Sequence, residues 1–128
     1  MTPKNEFKIE KYLTQNLDKK HRSFLAQLRF GILPLEIETG RFRNVHLQER
    51  ICRLCNHGTV ENEFHFLFMC PFYNILRQKW FNELQLANGV FHAMTDENKF
   101  KLIFEYPKYT AKYIANSFEQ RRAYLYQQ

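Results

Sequence analysis

The sequence has no run of apolar residues long enough to cross a lipid bilayer, and its polar first twenty residues lack the apolar core of a secretion signal. Glycine and proline are scarce, with four of each among 128 residues, which argues against a low-complexity or disordered chain. The sequence contains no internal repeat. These absences predict an intracellular protein of the nucleus or cytoplasm, neither secreted nor bound to a membrane.

Catalytic patterns are missing as well. The only aspartates, Asp18 and Asp96, are isolated, so the paired carboxylates of a metal-dependent nuclease or polymerase are not visible. The chain has no Gly-rich phosphate loop, no H-E-x-x-H motif and no G-x-S-x-G motif. We therefore expect no enzymatic activity and no small-molecule substrate.

The residues that are present favour a helical core. Hydrophobic residues make up 45% of the chain and aromatic residues 16%, and most apolar positions recur at intervals of three or four. We predict a small, mostly α domain over residues 1–128, with at most a short strand or hairpin near 35–55. Its parts are N-terminal helices over 1–34, an irregular segment over 35–73 that contains all three cysteines, and C-terminal helices over 74–128.

The first half of the chain contains two predicted helices. The first covers 6–16, and the second runs from about Asp18 to Phe30 and ends at Gly31 and Pro34. The apolar stripe of the second helix consists of Phe24, Leu25, Leu28 and Ile32. The alternation of residues 35–38 is consistent with a short strand, and residues 44–50 with a brief turn or helix.

The second half of the chain contains three predicted helices. Pro71 suits the first turn of a helix over 71–86, whose apolar positions recur every four residues and which Asn88-Gly89 ends. Thr95 can cap a helix over 96–105. Pro107 begins the last helix, with the predicted buried positions Ile114, Phe118 and Leu125.

All three cysteines of the chain lie within residues 52–70, in a pattern with a histidine. Cys52, Cys55, His65 and Cys70 form the spacing C-x2-C-x9-H-x4-C. Zinc prefers a tetrahedron of thiolate and imidazole ligands, and an odd number of clustered cysteines does not suit a disulfide framework. The spacing predicts one structural Zn²⁺ in a zinc knuckle, around which the helical domain is organised. Because four protein ligands leave no open position for water, we expect the metal to have no catalytic role.

Two alternatives to this ligand set remain at the level of sequence. The cysteines can be ordinary small apolar residues, with His65 on the surface. His57 is the rival fourth ligand, although it follows Cys55 by only two residues, where the knuckle backbone turns. We also expect His65 and Cys70 to be presented by a helix of about 60–69, whose start Glu61 and Glu63 favour electrostatically.

Several of these segments together resemble a known family. They are H-R-S-F-L-A-Q-L-R-F-G at 21–31, I-E-T-G-R-F at 37–42, E-R-I-C-R-L-C at 49–55, and E-N-E-F-H-F-L-F-M-C-P-F-Y at 61–73, followed by Leu76-Arg77. This set, covering about half the chain, is similar to the zinc-binding domain that follows the polymerase in non-LTR (LINE-type) retrotransposon reverse transcriptases.

The resemblance implies a CCHC ligand set of Cys52, Cys55, His65 and Cys70, and a role beside the polymerase in handling template RNA or target DNA. The chain contains no polymerase and no paired-aspartate signature. The polymerase activity of the family therefore does not extend to it.

The net charge of +6 is concentrated in the first half of the chain. Residues 1–58 contain eleven Lys or Arg against six Asp or Glu, whereas residues 59–128 contain eight against seven. We interpret Arg41, Arg43, Arg50 and Arg53 as a candidate RNA- or DNA-binding face. Phe42 lies among them, either as an anchor in the core, which we favour, or as a base-stacking platform. The alternative is a structural or protein-interaction domain in which zinc only stabilises the fold.

Overall fold

The computed structural model describes residues 17–126, and the fold is mostly helical, as predicted. The predicted helix over 6–16 lies outside the described residues. Five α-helices, a π-helical turn and four short 3-10 turns follow one another along residues 17–126. The α-helices are α1 (Lys19–Arg29), α2 (Glu36–Phe42), α3 (Asn74–Ala87), α4 (Asp96–Leu102) and α5 (Pro107–Tyr126).

Helix α1 has an N-cap residue, Asp18, before its first turn and a glycine, Gly31, after its last turn. The Asp18 carboxylate accepts a hydrogen bond from the His21 N–H at 2.8 Å. Two residues after the helix ends at Arg29, Gly31 has a φ of +69°, the left-handed conformation that favours glycine. Leu25 and Leu28 are buried. The prediction that Ile32 continues their stripe is wrong. Ile32 is 50% exposed, because the chain turns away from the helix axis at Gly31.

The predicted strand over 35–38 is also wrong, because helix α2 begins there. The backbone N–H of Glu36 donates to the Glu61 carboxylate at 2.8 Å, and the N–H of Ile37 donates to the Glu61 carbonyl at 3.0 Å. A helix leaves its first N–H groups without partners, and Glu61 supplies those partners from 25 positions further along the chain. A residue so distant in sequence gives no local signal.

The segment between α2 and the cysteines contains the predicted brief turn, which is the 3-10 turn Leu47–Glu49. Beyond it, Ile51 and Val60 form an isolated antiparallel bridge, the one β-type pairing within residues 17–126. The Cys52 N–H donates to the Thr59 carbonyl at 2.9 Å, so the bridge closes residues 51–60 into a loop.

The C-terminal helices lie close to their predicted bounds. Pro71 begins a 3-10 turn, Pro71–Tyr73, that leads into α3, where Trp80 and Leu84 are buried. The Thr95 hydroxyl caps α4 by accepting from the Asn98 N–H, and α4 ends in the 3-10 turn Ile103–Glu105. Helix α5 begins at Pro107 and buries Ile114 and Phe118, whereas Leu125 near its end is only half-buried.

The core forms where α5 packs against α1 and α3. Phe66 lies at its centre, with its ring centroid 5.0 to 5.5 Å from those of Tyr73, Tyr113 and Phe118. The rings of Trp80 and Tyr113 stack at 4.3 Å. Phe66 directly follows His65 in the chain, so the aromatic core fixes the segment that carries the histidine. None of the helices within residues 17–126 has the length and apolar character needed to cross a membrane.

Candidate metal centre

The structure brings together the four side chains that the sequence pattern selects. One ligand atom from each of Cys52, Cys55, His65 and Cys70 lies within 4.8 Å of all the others, and the group can hold a metal ion. We call these four residues the metal cluster. Cys52, His65 and Cys70 are buried and Cys55 is half-buried. The rival histidine, His57, is exposed and lies outside the cluster.

The loop of residues 51–60 presents the first two ligands. Its ends are held by the Ile51–Val60 bridge and by the N–H of Glu61, which donates to the Arg50 carbonyl at 2.9 Å. Inside the loop, the Leu54 N–H donates to Cys52 Sγ at 3.4 Å. This hydrogen bond curls the C-x2-C backbone around the first sulfur, so that both thiols point to the same side.

A π-helical turn, His65–Met69, presents the other two ligands. The Cys70 N–H donates to the His65 carbonyl at 2.8 Å, and this bond spans the five positions that separate the two ligands. The turn begins where the Asn62 side chain accepts from the His65 N–H at 2.9 Å. Single π turns occur frequently at functional sites. The predicted helix over 60–69 is thus shorter and more widely wound than its sequence suggests.

His65 is oriented by a residue that sequence reasoning missed. The Thr59 hydroxyl lies 3.3 Å from His65 Nδ1, which leaves Nε2 facing the thiols, 3.5 Å from Cys55 Sγ. Metal-bound histidines usually bind a polar partner through their second ring nitrogen. Burial lowers the pKa of His65, which favours the neutral imidazole that a metal requires. The sequence gives no signal for Thr59 beyond its position inside the loop.

The two buried thiols shift each other's pKa. Cys52 Sγ and Cys70 Sγ lie 3.8 Å apart. Their hydrogen bond, together with burial, raises the pKa of Cys52, and the same hydrogen bond lowers the pKa of Cys70. Two thiolates at this distance repel each other, so a cation among them is needed before both lose their protons.

Glu61 lies beside the cluster in a role different from the predicted one. Its carboxylate is fully buried, 3.9 Å from Cys52 Sγ, and accepts two hydrogen bonds from the guanidinium of Arg121 in α5. Burial alone would lower the pKa of Arg121, but the hydrogen bonds and charge of Glu61 raise it overall. Glu61 therefore ties the loop to both α2 and α5, in addition to its place before the π turn.

The four candidate nucleic-acid-binding arginines occupy two different environments. Arg41, Arg43 and Arg53 have side chains 52 to 59% exposed. Arg50 is half-buried and donates to the carbonyls of Val45 and Ile37 at 3.0 and 2.9 Å. Its stem packs so closely on Gly40 that a Cβ there would lie 2.6 Å from Arg50 Cγ. Arg50 therefore supports the fold beneath the other three.

Two of the exposed arginines converge on one carboxylate. Arg43 Nη2 lies 2.5 Å from Glu36 Oε1, and Arg53 Nη1 lies 3.8 Å from Glu36 Oε2. Arg53 therefore lies beside the first residue of α2. At the other end of this helix, Phe42 is 74% exposed and the Arg41 guanidinium lies 4.9 Å from its ring centroid. The prediction of Phe42 as a core anchor is wrong.

We compared the chain with known proteins. No protein-family model, no curated protein and no solved structure matches the chain.

Proposed function

We propose that the metal cluster binds one structural Zn²⁺, and that the chain is a nucleic-acid-binding accessory domain of the kind that follows the polymerase in non-LTR reverse transcriptases, without enzymatic activity of its own. The distances inside the cluster carry the zinc assignment. A tetrahedron with Zn–S bonds of about 2.3 Å and a Zn–N bond of about 2.0 Å separates two sulfurs by about 3.8 Å and a sulfur from the nitrogen by about 3.5 Å.

Both spacings occur in the cluster, at Cys52–Cys70 (3.8 Å) and at Cys55–His65 (3.5 Å). Three thiolates and one imidazole in a tetrahedron favour zinc over magnesium, calcium or manganese, which prefer oxygen ligands. Four protein ligands complete the coordination of the ion, which supports a structural role for the metal.

The residues that carry the family resemblance support the second part of the proposal. Outside the ligand set, the segment 61–73 with Arg77 also surrounds the cluster. Glu61 approaches Cys52, Asn62 holds the start of the π turn, and Arg77 donates to the Cys70 carbonyl at 2.7 Å. Residues 61–73 and Arg77, which are part of the resemblance, thus form one contiguous unit around the metal cluster.

The zinc assignment is tested on the purified protein. We expect elemental analysis to find one zinc per chain, and Co²⁺ exchanged for zinc to show the absorption bands of a tetrahedral, thiolate-rich site. Cys55→Ser is the matched control and should weaken those bands. A chain that is purified with well under one equivalent of zinc and whose three thiols react freely would contradict the assignment.

The exposed pair Arg41–Phe42 at the end of α2, together with Arg43 and Arg53 on the Glu36 carboxylate at its start, supports binding of nucleic acid along this helix. An aromatic ring next to guanidinium groups can stack on an unpaired base while the cations contact phosphates. Two carboxylates oppose this attraction. A phosphate that binds Arg43 and Arg53 has to compete with Glu36, and one that binds Arg41 has to compete with Glu38, whose Oε2 lies 2.7 Å from Arg41 Nη2. The surface is therefore suited to a single strand whose bases are accessible.

Affinity as a function of salt concentration tests this surface. We expect the triple substitution of Arg41, Arg43 and Arg53 by Gln to weaken binding of a single-stranded RNA or DNA. The slope of log affinity against log salt should flatten by about 0.7 for each arginine–phosphate interaction that the substitutions remove. Substitution of the exposed Lys108, Lys112 and Arg122 removes the same charge elsewhere and serves as the control. If both triple variants bind nucleic acid equally well, the attraction depends on the net charge of the protein and not on this surface.

Phe42→Ala isolates the stacking contribution. Base stacking on an aromatic ring is worth roughly 1–3 kcal/mol per base, so we expect about a tenfold loss of affinity for a single strand and little change for a duplex. Phe30, 73% exposed, is the matched control because its side chain has nearly the same exposure as the 74% of Phe42. Equal effects of Phe42→Ala and Phe30→Ala would contradict a stacking role.

A second candidate function is docking of a protein segment, and a groove of about 630 Å³ between residues 62–64 and α4 favours it. The rings of Phe64 and Phe100 line it, 45% and 37% exposed, together with the carboxylates of Glu63, Asp96 and Glu97. Lys101 also lines it, with its ammonium 4.0 Å from the Glu97 carboxylate, so an incoming cation has to compete with Lys101 for Glu97. Glu63 Oε2 is buried without a hydrogen-bond partner among the described residues. Aromatic walls beside carboxylates suit a lysine or arginine side chain, whose stem is apolar and whose head is cationic.

Titration of the labelled protein with acetyl-arginine amide, followed by NMR, tests this groove. We expect saturable shifts at Phe64, Asp96 and Phe100 that acetyl-norleucine amide does not produce and that the Asp96→Asn/Glu97→Gln variant reduces. Identical shifts with the neutral norleucine compound would show that the groove has no preference for a cation.

A further inference from the structure

Arg77 is a buried cation without an anionic partner among the described residues. It lies on α3, 7% exposed, and its guanidinium faces the π turn. Nε donates to the Leu67 carbonyl at 3.0 Å, Nη2 donates to the carbonyls of Cys70 at 2.7 Å and Phe66 at 3.4 Å, and Nη1 donates to the Asn74 side chain at 2.8 Å. All four acceptors are uncharged.

Arg121 provides the contrast, because it is equally buried but has a carboxylate partner. It is 6% exposed and forms an ion pair with Glu61. Removing a cation from water costs several kcal/mol unless a nearby negative charge offsets that cost. Within residues 17–126, Arg77 forms no ion pair with a carboxylate. No carboxylate among the described residues therefore offsets its buried charge.

The metal cluster can supply that negative charge. A divalent ion bound by three thiolates and a neutral imidazole has a net charge of −1. Arg77 holds the carbonyl of Cys70, a cluster residue, so its guanidinium lies close to the centre. Groups outside the ligand set commonly tune metal affinity in this way.

We propose that Arg77 is the counter-charge of the metal centre, a positioning residue that stabilises the three-thiolate, net-negative state. This inference rests on the proposed zinc site. The guanidinium offsets the excess negative charge of the bound centre, and the bound centre offsets the buried charge of Arg77. Loss of the positive charge is then expected to weaken metal binding even when all four ligands are intact.

A purely structural role makes a different prediction. If Arg77 acts only by donating hydrogen bonds to three carbonyls, the planar fork of its donors is essential and a lysine cannot replace it. If it acts by charge, lysine replaces it and a neutral donor does not. Arg77→Lys and Arg77→Gln therefore separate the two roles.

The test is competition for zinc between each folded variant and a chelator, with Lys79→Gln as a control that removes an exposed cation from the same helix. We expect zinc affinity to fall about 10–100-fold for Arg77→Gln, as is typical for groups outside the ligand set. It should stay within about threefold of wild type for Arg77→Lys and Lys79→Gln. A loss in Arg77→Lys as large as in Arg77→Gln, or no loss in Arg77→Gln, would overturn the proposal.

A double-mutant cycle provides a second measurement. Cys55→His replaces one thiolate by an imidazole and makes the bound centre neutral, so Arg77→Gln should cost little affinity in that background. An equal loss in both backgrounds overturns the counter-charge role. If Arg77→Gln does not fold, Arg77→Lys alone decides, because tenfold or weaker binding by this variant refutes the role of charge. Absence of zinc from the wild-type chain would instead refute the zinc assignment itself.

Discussion

Substitution of Arg121 by Met probes the contact that ties the metal cluster to the C-terminal helix. Arg121 donates two hydrogen bonds to the fully buried Glu61 carboxylate and one to the Tyr73 hydroxyl at 3.3 Å. Methionine fills a similar volume without charge. The substitution leaves the Glu61 carboxylate buried with no cation in contact, while its hydrogen bond from the Glu36 N–H remains.

Breaking a buried ion pair by removing one partner costs about 3–5 kcal/mol. A domain of this size is stable by roughly 5–15 kcal/mol, so the substitution removes a large share of the total. The melting temperature should fall by on the order of 10–20 °C. The neighbouring Arg122 is exposed, and Arg122→Met should change stability by no more than about 0.5 kcal/mol.

Urea unfolding of the zinc-loaded protein measures both changes under identical conditions. The double variant Glu61→Gln/Arg121→Met should be destabilised by less than the sum of the two single variants, because it leaves no charge unpaired. The variants Arg121→Met and Arg122→Met should differ in free energy of unfolding by more than about 1 kcal/mol. A smaller difference would mean that Glu61 is not a buried carboxylate held by Arg121. The connection between loop and helix would then need another explanation.

Three further predictions concern the cluster and its support. His65→Ala should release zinc to a chelator at far lower concentrations than His57→Ala, and equal losses would show that the ligand assignment is wrong. In the metal-free chain, burial lowers the pKa of His65 below its usual 6.5, so the unfolded chain takes up a proton more readily than the folded chain. Stability in thermal melts of the metal-free protein should therefore fall as the pH drops below about 6.5, and His65→Asn should flatten that dependence. Gly40→Ala should cost about 1–3 kcal/mol in urea unfolding because its Cβ meets the Arg50 stem, whereas Gly89→Ala, with open space around it, is the control.

The residues of the metal cluster could be predicted from sequence because their constraints are local. Two residues separate Cys52 from Cys55 and four separate His65 from Cys70, and each pair is presented by one short backbone segment. The tight spacing allows few conformations that point both side chains to one side. Nine residues separate the two pairs, and the 51–60 loop brings the pairs together. The ends of this loop are held by backbone hydrogen bonds, which require no particular side chains.

Helix α2 could not be predicted because the group that starts it is distant in sequence. Residues 35–38 alternate between apolar and acidic, which is typical of a strand. Glu36 is nevertheless buried, and its N–H and that of Ile37 bind the side chain and backbone of Glu61. A tertiary contact therefore overrides the local pattern. The same contact gives Glu61 a second role, as the acceptor for the first N–H groups of α2, beside its predicted role as an acidic residue at a helix start.

The net charge of +6 overstates the number of arginines that can bind a phosphate, because several of them have partners within the fold. Arg121 neutralises Glu61, Arg50 holds backbone carbonyls, and Arg77 faces the metal cluster, so none of these arginines is available to a phosphate. Even the exposed Arg43 shares Glu36 with Arg53. The proposed affinity for nucleic acid therefore cannot follow from overall charge. It depends on whether three side chains at the end of α2 and in the loop exchange a carboxylate for a phosphate, which makes it sensitive to salt and to the accessibility of Phe42.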